Sequence, residues 1–414
     1  MSASSTSGLY RNSVVQGILL SQFFLQIGIW IRNFSVLLFV VEMTGEDPFA
    51  VSMVSVAEFA PIFIFSFIGG TFADRWRPKR TMIWCDVLSA VSVFAVLLAL
   101  VFGSWQAVFF TTLFSAILSQ FSQPSGLKLF KMHLPAQEIQ AGMSLYQTIF
   151  SIFMVLGPVL GTYVFQTLGI YVAIALTGTA FLLSAAALLL LLPSDIREES
   201  IVPAPILKEM AAGIRYLLSK KALTLLGACF LAAGLALGLI QPMGVFLVTE
   251  RLGQEKEFLK WLLTVYGLGM IVGGGLAAVF AKAAAPQKLL IFGLFFDAIG
   301  IAICGISTTT WLTLAGQFIS GLVLPCISIG INTIMLQNTD HQFIGRVNGI
   351  LSPLFTGAMV ITMGMAGLLK KMFSLVAIYE AAGILFIISL LFILPLYSLP
   401  ANQPSNCLSE QENA

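Results

Sequence analysis

The sequence predicts an all-α integral membrane protein with twelve transmembrane helices in two pseudo-symmetric six-helix bundles. Of its 414 residues, 58% are hydrophobic and 10% are charged, and the mean hydropathy is +0.96. Soluble domains are about 45–50% apolar. The apolar runs are continuous rather than alternating, which indicates membrane helices and not a barrel. One long polar connection divides the chain into two halves of similar length.

Twelve segments are long enough to cross a membrane, because a spanning helix needs about 20 mostly apolar residues. The predicted spans are 14–41, 49–72, 81–103, 106–128, 143–166, 169–193, 222–248, 260–281, 287–305, 309–336, 346–369 and 374–398. Weak internal repetition supports two equivalent halves, since Pro78-Lys79-Arg80 recurs loosely as Pro286-Gln287-Lys288 at the start of the ninth span.

The polar connection between the sixth and seventh spans carries apolar residues at helical spacing, including Met210, Ile214 and Leu217. This pattern predicts an amphipathic helix on the cytoplasmic surface. We therefore predict four parts of the chain. They are an N-terminal bundle at 1–193, a cytoplasmic linker at 194–221, a C-terminal bundle at 222–398 and a cytoplasmic tail at 399–414.

A basic hairpin between the second and third spans determines the predicted orientation. It carries five charges within seven residues, namely Asp74, Arg75, Arg77, Lys79 and Arg80. Positive loops resist translocation and stay on the cytoplasmic side. With both termini cytoplasmic, fifteen Lys and Arg residues lie on that side and five lie outside. We predict a multi-pass protein of the cell membrane with both termini in the cytoplasm.

The same hairpin resembles a motif of the major facilitator superfamily, G-x-x-x-D-[RK]-x-G-[RK]-[RK], which lies between the second and third membrane helices of that family. The matching residues are Gly70, Asp74, Arg75, Lys79 and Arg80. Arg77 replaces the second glycine of the motif, and Pro78 follows it. The resemblance implies a secondary transporter whose loop latches the cytoplasmic face. We expect Asp86 to be a structural partner of this loop, with a role as a proton carrier as the alternative.

The fifth span contains Gly157, Pro158 and Gly161, which resemble the antiporter motif G-x-x-x-G-P-x-x-G-G of the same superfamily. Phe153 and Thr162 depart from that motif. Glycines four residues apart let two helices approach closely, and a proline bends its helix. This resemblance implies export rather than uptake. Gly-Arg-Val at 345–347, together with the overall architecture, is similar to macrolide-efflux-type, proton-coupled drug exporters.

Charged residues inside predicted spans are the strongest candidates for function, because each costs roughly 2.5–3.5 kcal/mol at a span centre. They are Arg32, Glu58, Asp86, Asp297 and Glu380. Arg32 and Glu58 lie at equal depth, about 13 Å from the outer ends of neighbouring spans. We expect both to face a central cavity and Glu58 to exchange a proton. The alternative is a static pair that holds two helices together.

Asp297 lies near the midplane, either as a second titrating group or as a partner of a polar residue on another helix. Amide side chains within the spans are further candidates for the substrate cavity. They are Gln22, Gln26, Asn33, Gln241 and Gln317. Amides within a membrane face protein or a cavity rather than lipid. Hydrogen bonding between helices is the alternative role for each of them.

The sequence therefore predicts a secondary active transporter that exports amphipathic small molecules by proton antiport through alternating access. Its expected partners are a small-molecule substrate, protons (or sodium) and the lipid bilayer, and it is expected to act as a monomer. Neither a cofactor nor a nucleic acid is expected. No C-x-x-C occurs among the five cysteines, and the two histidines are far apart, so no metal site is expected.

Several alternatives remain open at this stage. The same fold suits export of a siderophore or lysolipid, or import of a nutrient. A transport-inactive receptor or scaffold is a different class, although a scaffold has no need of costly charges within the membrane. An enzyme is not expected, because the charged residues do not gather with a nucleophile and a base. The sequence lacks G-x-x-x-x-G-K-[ST], which argues against an ATP-driven pump.

Overall fold

The computed structural model describes residues 13–134, 136–191, 206–280, 284–340 and 343–397. It describes the backbone alone at 66–75, 124, 127, 130, 131, 133, 136–141, 206–209, 278 and 397. Within these ranges the chain is helical and contains no strand. In the described part of the chain, ten helices have the length and composition to cross a membrane. One of them is broken into two at Gly169, and Val108–His133 packs among the others. The described residues thus agree with the predicted twelve-helix membrane fold.

The first half contains six of these helices. They are α1 (Ser13–Thr44), α2 (Pro48–Arg75), α3 (Pro78–Val101), α4 (Val108–His133), α5 (136–168) and α6 (170–191). The last two form one run, Ala136–Leu191, with non-helical backbone at Gly169 (φ 74°, ψ 176°). A positive φ of this size is available to glycine without steric cost, and it turns the chain back across the membrane here.

The second half follows a separate linker helix, α7 (Ile206–Ser219). Its helices are α8 (Lys221–Ile240), α9 (Leu259–Phe280), α10 (Pro286–Ile306), α11 (Thr310–Gln337), α12 (Ile344–Met372) and α13 (Leu375–Ile393). α8 continues outward through a 3-10 turn at Gln241–Met243 and a π-helical turn at Leu247–Arg251. Pro242 lies in the 3-10 turn, where its missing N–H interrupts the regular helix.

Helix packing groups these elements into two bundles. In the first half, α1 packs on α5 and α6, and α4 packs on α2 and α3. In the second half, α8 packs on α12 and α13, and α11 packs on α9 and α10. The halves meet where α2 packs on α12 and α5 packs on α9. The predicted boundaries at 193 and 222 stay a prediction, because 192–205 lie outside the described residues.

We name the two faces after the predicted orientation. The inner face carries the start of α3 at Pro78, and the outer face carries the turn between α1 and α2 at residues 45–47. Several close contacts between neighbouring helices depend on glycine, because a larger side chain would meet the backbone of the other helix. A Cβ at Gly273 of α9 would lie 2.0 Å from the Leu322 carbonyl oxygen of α11, whereas a Cβ at the adjacent Gly274 would have no atom within 4 Å.

The predicted amphipathic helix is present as α7, and it docks on the second half. The Tyr216 ring stacks on Phe343 with centroids 4.1 Å apart, and its hydroxyl donates to the Asp340 carboxylate at 2.8 Å. A Cβ at Gly213 would lie 2.7 Å from Ile350 of α12. The linker helix is therefore attached to the turn between α11 and α12, a contact that the sequence did not predict.

Candidate functional site

Arg32 and Glu58 belong to one hydrogen-bonded chain between α1 and α2. The Arg32 guanidinium donates to the Asn33 side-chain oxygen from Nε at 3.0 Å and from Nη2 at 2.8 Å. The Asn33 amide nitrogen donates to the Glu58 carboxylate at 2.8 Å. No direct Arg32–Glu58 ion pair occurs within 4.0 Å among the described residues. The two charges lie at the same depth, as predicted, but Asn33 joins them.

This chain, here called the α1–α2 relay, lies inside the first half. Val56 and Phe63 of α2 contact α12 of the second half. At about 100° per residue, Glu58 lies on the opposite side of α2 from both of them. Arg32 is 4% exposed. The described contacts of Arg32 and Glu58 run through Asn33 and stay within one bundle. That the two side chains face the central cavity therefore remains a prediction.

Three amides share one face of α1. Gln22, Gln26 and Asn33 are separated by four and seven residues, which places them within about 40° of one another along roughly 16 Å of helix. Gln22 and Gln26 are buried and hydrogen-bond to no other described residue. This amide stripe leads to the relay. Gln241 is exposed at the α8 break, and Gln317 is half-buried on α11, so neither joins the stripe.

Asp86 lies in a second buried network. The Ser184 hydroxyl of α6 is 2.6 Å from the Asp86 carboxylate and 2.7 Å from the Ser21 hydroxyl of α1. Asp86 is 3% exposed and has no ion pair with a described residue of the basic hairpin. The described partner of Asp86 is Ser184, and a contact with the hairpin stays a prediction, because the hairpin side chains up to residue 75 lie outside the described part of the chain. Asp86 lies eight residues into α3, about 12 Å from its start, and faces the bundle interior.

Asp297 occupies a comparable position in the second half. It lies on α10, which corresponds to α3 in the first half, and it is 8% exposed. Ser320 of α11 lies beside the Asp297 carboxyl group. Tyr266 of α9 is close enough for its hydroxyl group to interact with the charge of Asp297. Each half thus holds one buried aspartate next to a serine of a neighbouring helix. This similarity favours the reading of Asp297 as the partner of a polar residue.

The basic hairpin is described in part. Gly70, Asp74 and Arg75 fall where the structure describes the backbone alone, so their latching role remains a prediction. α2 ends at Arg75 and α3 begins at Pro78, with Arg77 extended at φ −71° and ψ 114°. Proline at the first helical position is favoured because its missing N–H would be unpaired there. The Lys79 ammonium donates to the Leu189 carbonyl oxygen at the end of α6. Arg80 is exposed.

The glycines of the antiporter-like motif lie against α1. A Cβ at Gly157 would lie 2.2 Å from the Trp30 ring, and a Cβ at Gly161 would lie 2.5 Å from the Trp30 carbonyl oxygen. Pro158 lies between them inside α5. The glycines therefore permit the close helix approach that the sequence suggested. Their partner is the helix that carries the relay and the amide stripe.

The two halves are joined at the outer face by charge contacts that the sequence analysis missed. Three carboxylates in the last turn of α1 and in the connection to α2 meet three residues of the second half: Asp47 with Lys371 at 2.6 Å, Glu42 with Lys256 at 2.7 Å, and Glu46 with the Thr249 hydroxyl at 3.1 Å. We call these six residues the outer gate. All three contacts of the outer gate are present in this structure.

The backbone at the gate is also closely packed. A Cβ at Gly367 of α12 would lie 2.4 Å from the Pro48 carbonyl oxygen of α2. Glu46 has a φ of 65°, in the left-handed region that residues other than glycine seldom adopt. The hydrogen bond from Lys371 lowers the pKa of Asp47 below its usual value. Asp47 therefore stays ionised and paired at neutral pH.

Complementary charge was the signal in the sequence. Acidic residues cluster at 42–47, and two lysines at 370–371 directly follow the eleventh predicted span. Sequence spacing could not pair them, since more than 300 residues separate Asp47 from Lys371. The sequence also could not show which lysine pairs across the halves. Lys371 pairs with Asp47 of the first half, whereas Lys370 pairs with Glu250 of its own half.

Comparison with known proteins identifies the family. The family model described as Major Facilitator Superfamily matches residues 18–253 and 226–413. The chain belongs to this superfamily. Its fold is also similar to the crystal structure of a POT family transporter in complex with a thioalcohol-conjugated peptide, with a TM-score of 0.74 and 14% identity over 92% of this chain and 96% of that chain.

Curated relatives cover most of this major facilitator chain. An uncharacterized MFS-type transporter, YkuC of Bacillus subtilis, is 25% identical over 91% of this chain and 90% of its own length. Multidrug efflux pump Tap of Mycolicibacterium fortuitum is 25% identical, with coverage of 80% and 83%. Macrolide efflux protein A of Streptococcus pyogenes is 21% identical, with coverage of 82% and 84%. The chain is thus a multi-pass membrane transporter with distant relatives named as efflux pumps.

Proposed function

We propose that this transporter exports amphipathic small molecules in exchange for protons, by alternating access between two bundles. The names of the multidrug and macrolide efflux relatives favour this cargo class. The α1–α2 relay carries the proposal for proton coupling. It holds an arginine and a carboxylate within the membrane, where each charge is costly unless it is compensated.

Glu58 is the proposed proton-binding group. As a carboxylate it accepts the Asn33 hydrogen bond and balances the buried Arg32. Protonation removes that negative charge and leaves Arg32 buried without its counter-charge. Leaving one member of a buried pair uncompensated is strongly destabilising. A rearrangement of α1 against α2 relieves this state, and deprotonation reverses it.

The relay and the outer gate lie on the same pair of helices. The end of α1 carries Glu42, and the turn that follows it carries Glu46 and Asp47; these three residues contact the second half at the outer face. A movement of α1 against α2 therefore reaches the gate directly. Under this proposal, protonation of Glu58 favours opening of the gate, and the basic hairpin latches the inner face in that state.

The experiment uses purified protein in liposomes that contain a pH-sensitive dye. A macrolide antibiotic or ethidium is added under an imposed proton gradient to wild type, Glu58→Gln and Glu255→Gln. We expect drug-evoked proton flux in wild type and its loss in Glu58→Gln. Glu255 is exposed on the connection between α8 and α9, so its substitution is the matched control and should leave the flux unchanged.

Folding is checked separately by elution as a single symmetric peak and by thermal unfolding in detergent. A Glu58→Gln protein that folds normally and retains full drug-evoked proton flux would contradict the assignment of Glu58. Absence of proton flux in wild type with every drug, combined with sodium-dependent drug movement, would contradict proton antiport itself.

A further inference from the structure

A groove opens at the inner end of the first half, between α3 and α4. Its volume is about 560 Å³, and its lining combines aromatic residues with two arginines. Trp76 and Trp84 lie on the α3 side, and Phe121 lies on α4. Arg77 and Arg80 lie at its inner end, and Leu88 lies one turn deeper than Trp84. The groove is therefore basic at one end and apolar along its length.

The exposed face of α3 places this groove toward lipid. Trp84, Leu88, Val91 and Leu98 are exposed by 62%, 46%, 58% and 58%, and their spacing of about seven residues per two turns keeps them on one side of the helix. Asp86 lies on the opposite, buried side. The halves meet through α2 with α12 and through α5 with α9, and α3 takes part in neither contact.

The arginines at the groove are available to an anion. Among the described residues, neither the Arg77 nor the Arg80 side chain has a hydrogen bond or ion pair. Both follow the inner end of α2 in sequence, at the end of the spans where the predicted orientation puts the cytoplasmic headgroups. Guanidinium groups bind phosphate oxygens in bidentate fashion, and tryptophan is enriched at the level of the headgroups.

From this arrangement we infer that the groove is a binding site for one anionic phospholipid of the inner leaflet. Its phosphate contacts Arg77 and Arg80, and one acyl chain lies along Trp84 and Leu88. Basic pockets between membrane helices on the cytoplasmic side are suited to anionic headgroups. The bound lipid would stay next to the hairpin that joins α2 to α3. This inference depends on the predicted orientation and not on the cargo proposed above.

The first test is native mass spectrometry of purified protein given equal amounts of phosphatidylglycerol and phosphatidylcholine with identical acyl chains. We expect wild type to retain phosphatidylglycerol preferentially. The Arg77→Gln/Arg80→Gln double variant should lose this preference by about tenfold or more. Arg215→Gln removes a charge from an exposed position of α7 outside the groove and should leave the preference unchanged. Equal retention of both lipids by wild type would overturn the inference.

A second test needs no variant. Phosphatidylglycerol with a photoreactive group in its acyl chain is added to wild type, and the labelled residues are mapped. Labelling should concentrate at Trp84 and Leu88. Phe292 of α10 lies at a similar depth on the corresponding helix of the other half and is 51% exposed, so it serves as the internal control. Equal labelling at Phe292 would show general lipid contact and overturn the site.

A third outcome separates a lipid from a transported molecule. Trp84→Ala should reduce retention of phosphatidylglycerol and leave drug binding unchanged. If it abolishes macrolide binding and leaves lipid retention intact, the groove is a cargo site and the lipid inference is wrong. Because lipid retention is measured without transport, failure of this inference is distinguishable from failure of the proton-coupled export proposal.

Discussion

The two adjacent lysines at the outer end of α12 give a direct test of the outer gate. Lys371 pairs across the halves with Asp47, whereas Lys370 pairs with Glu250 of its own half. Replacing Lys371 with glutamine removes one contact that exists when the outer face is closed. Replacing Lys370 with glutamine changes the same charge at the neighbouring position but removes no contact between the halves. Only Lys371→Gln should therefore favour opening.

The size of the effect follows from exposure. The Lys371 and Asp47 side chains are 52% and 34% exposed, so solvent screens the pair. Exposed ion pairs contribute about 0.2–1 kcal/mol. Since 1.4 kcal/mol corresponds to a factor of ten, the ratio of open to closed molecules should rise by about 1.4- to 5-fold. Lys371→Glu adds repulsion and should shift the ratio further, and Asp47→Lys combined with Lys371→Glu should restore it.

The assay is electron–electron double resonance between spin labels at Leu168→Cys and Trp311→Cys, in a background with Cys407→Ser. Both sites are exposed at the outer face, one in each half. The four cysteines of the described ranges are buried. At low salt, Lys371→Gln should increase the population with the longer distance. Equal shifts for Lys370→Gln and Lys371→Gln, or no shift even for Lys371→Glu, would refute the gate.

Three further predictions concern the gate, the helix contacts and the relay. In the Glu58→Gln background, whose neutral side chain already favours the open form, the remaining closed population should stay constant from about pH 8 to pH 5 and fall only below about pH 4. The pKa of Asp47 is lowered in the closed form by its hydrogen bond from Lys371. The stabilisation of the closed form by Asp47 is therefore complete above the ordinary pKa of an aspartate, and it is lost as the pH falls through the lowered pKa. A transition near pH 6 would contradict this. Gly273→Ala should lower stability by about 1–3 kcal/mol through its clash with the α11 backbone, whereas Gly274→Ala should leave thermal unfolding in detergent unchanged or raise stability by about 0.5–1 kcal/mol; equal effects would disprove the contact. Asn33→Leu should abolish drug-evoked proton flux as Glu58→Gln does, because it removes the amide that links Arg32 to Glu58 and leaves both charges in place. Normal flux in this variant would show that the relay is not needed.

The fold was largely predictable because the membrane limits the choice of structure. Every backbone polar group must be paired within the lipid, so long apolar runs become helices. The depth of Arg32 and Glu58 also followed from counting residues along neighbouring helices. The break at Gly169 was anticipated only as a boundary between two spans, because its positive φ is a local conformation that a hydropathy pattern does not contain.

The partners of the buried polar groups were not predictable in the same way. Asp86 was expected near the basic hairpin that precedes it, yet its hydrogen-bond donor is Ser184 of α6. Small hydroxyl residues are common within these spans, so sequence alone does not select one. Similarly, the role of Asn33 depends on the rotation of α1 about its axis, which fixes the amide between the guanidinium and the carboxylate.

The most direct test of proton-coupled export is the direction of proton movement in vesicles loaded with drug. Wild-type protein is reconstituted with a macrolide and a pH-sensitive dye in the lumen, at equal pH on both sides and without sodium. As the drug leaves down its gradient, antiport predicts that protons enter and the lumen becomes more acidic, and empty vesicles should show no such change. Drug efflux without acidification, or efflux that requires added sodium, would contradict the account.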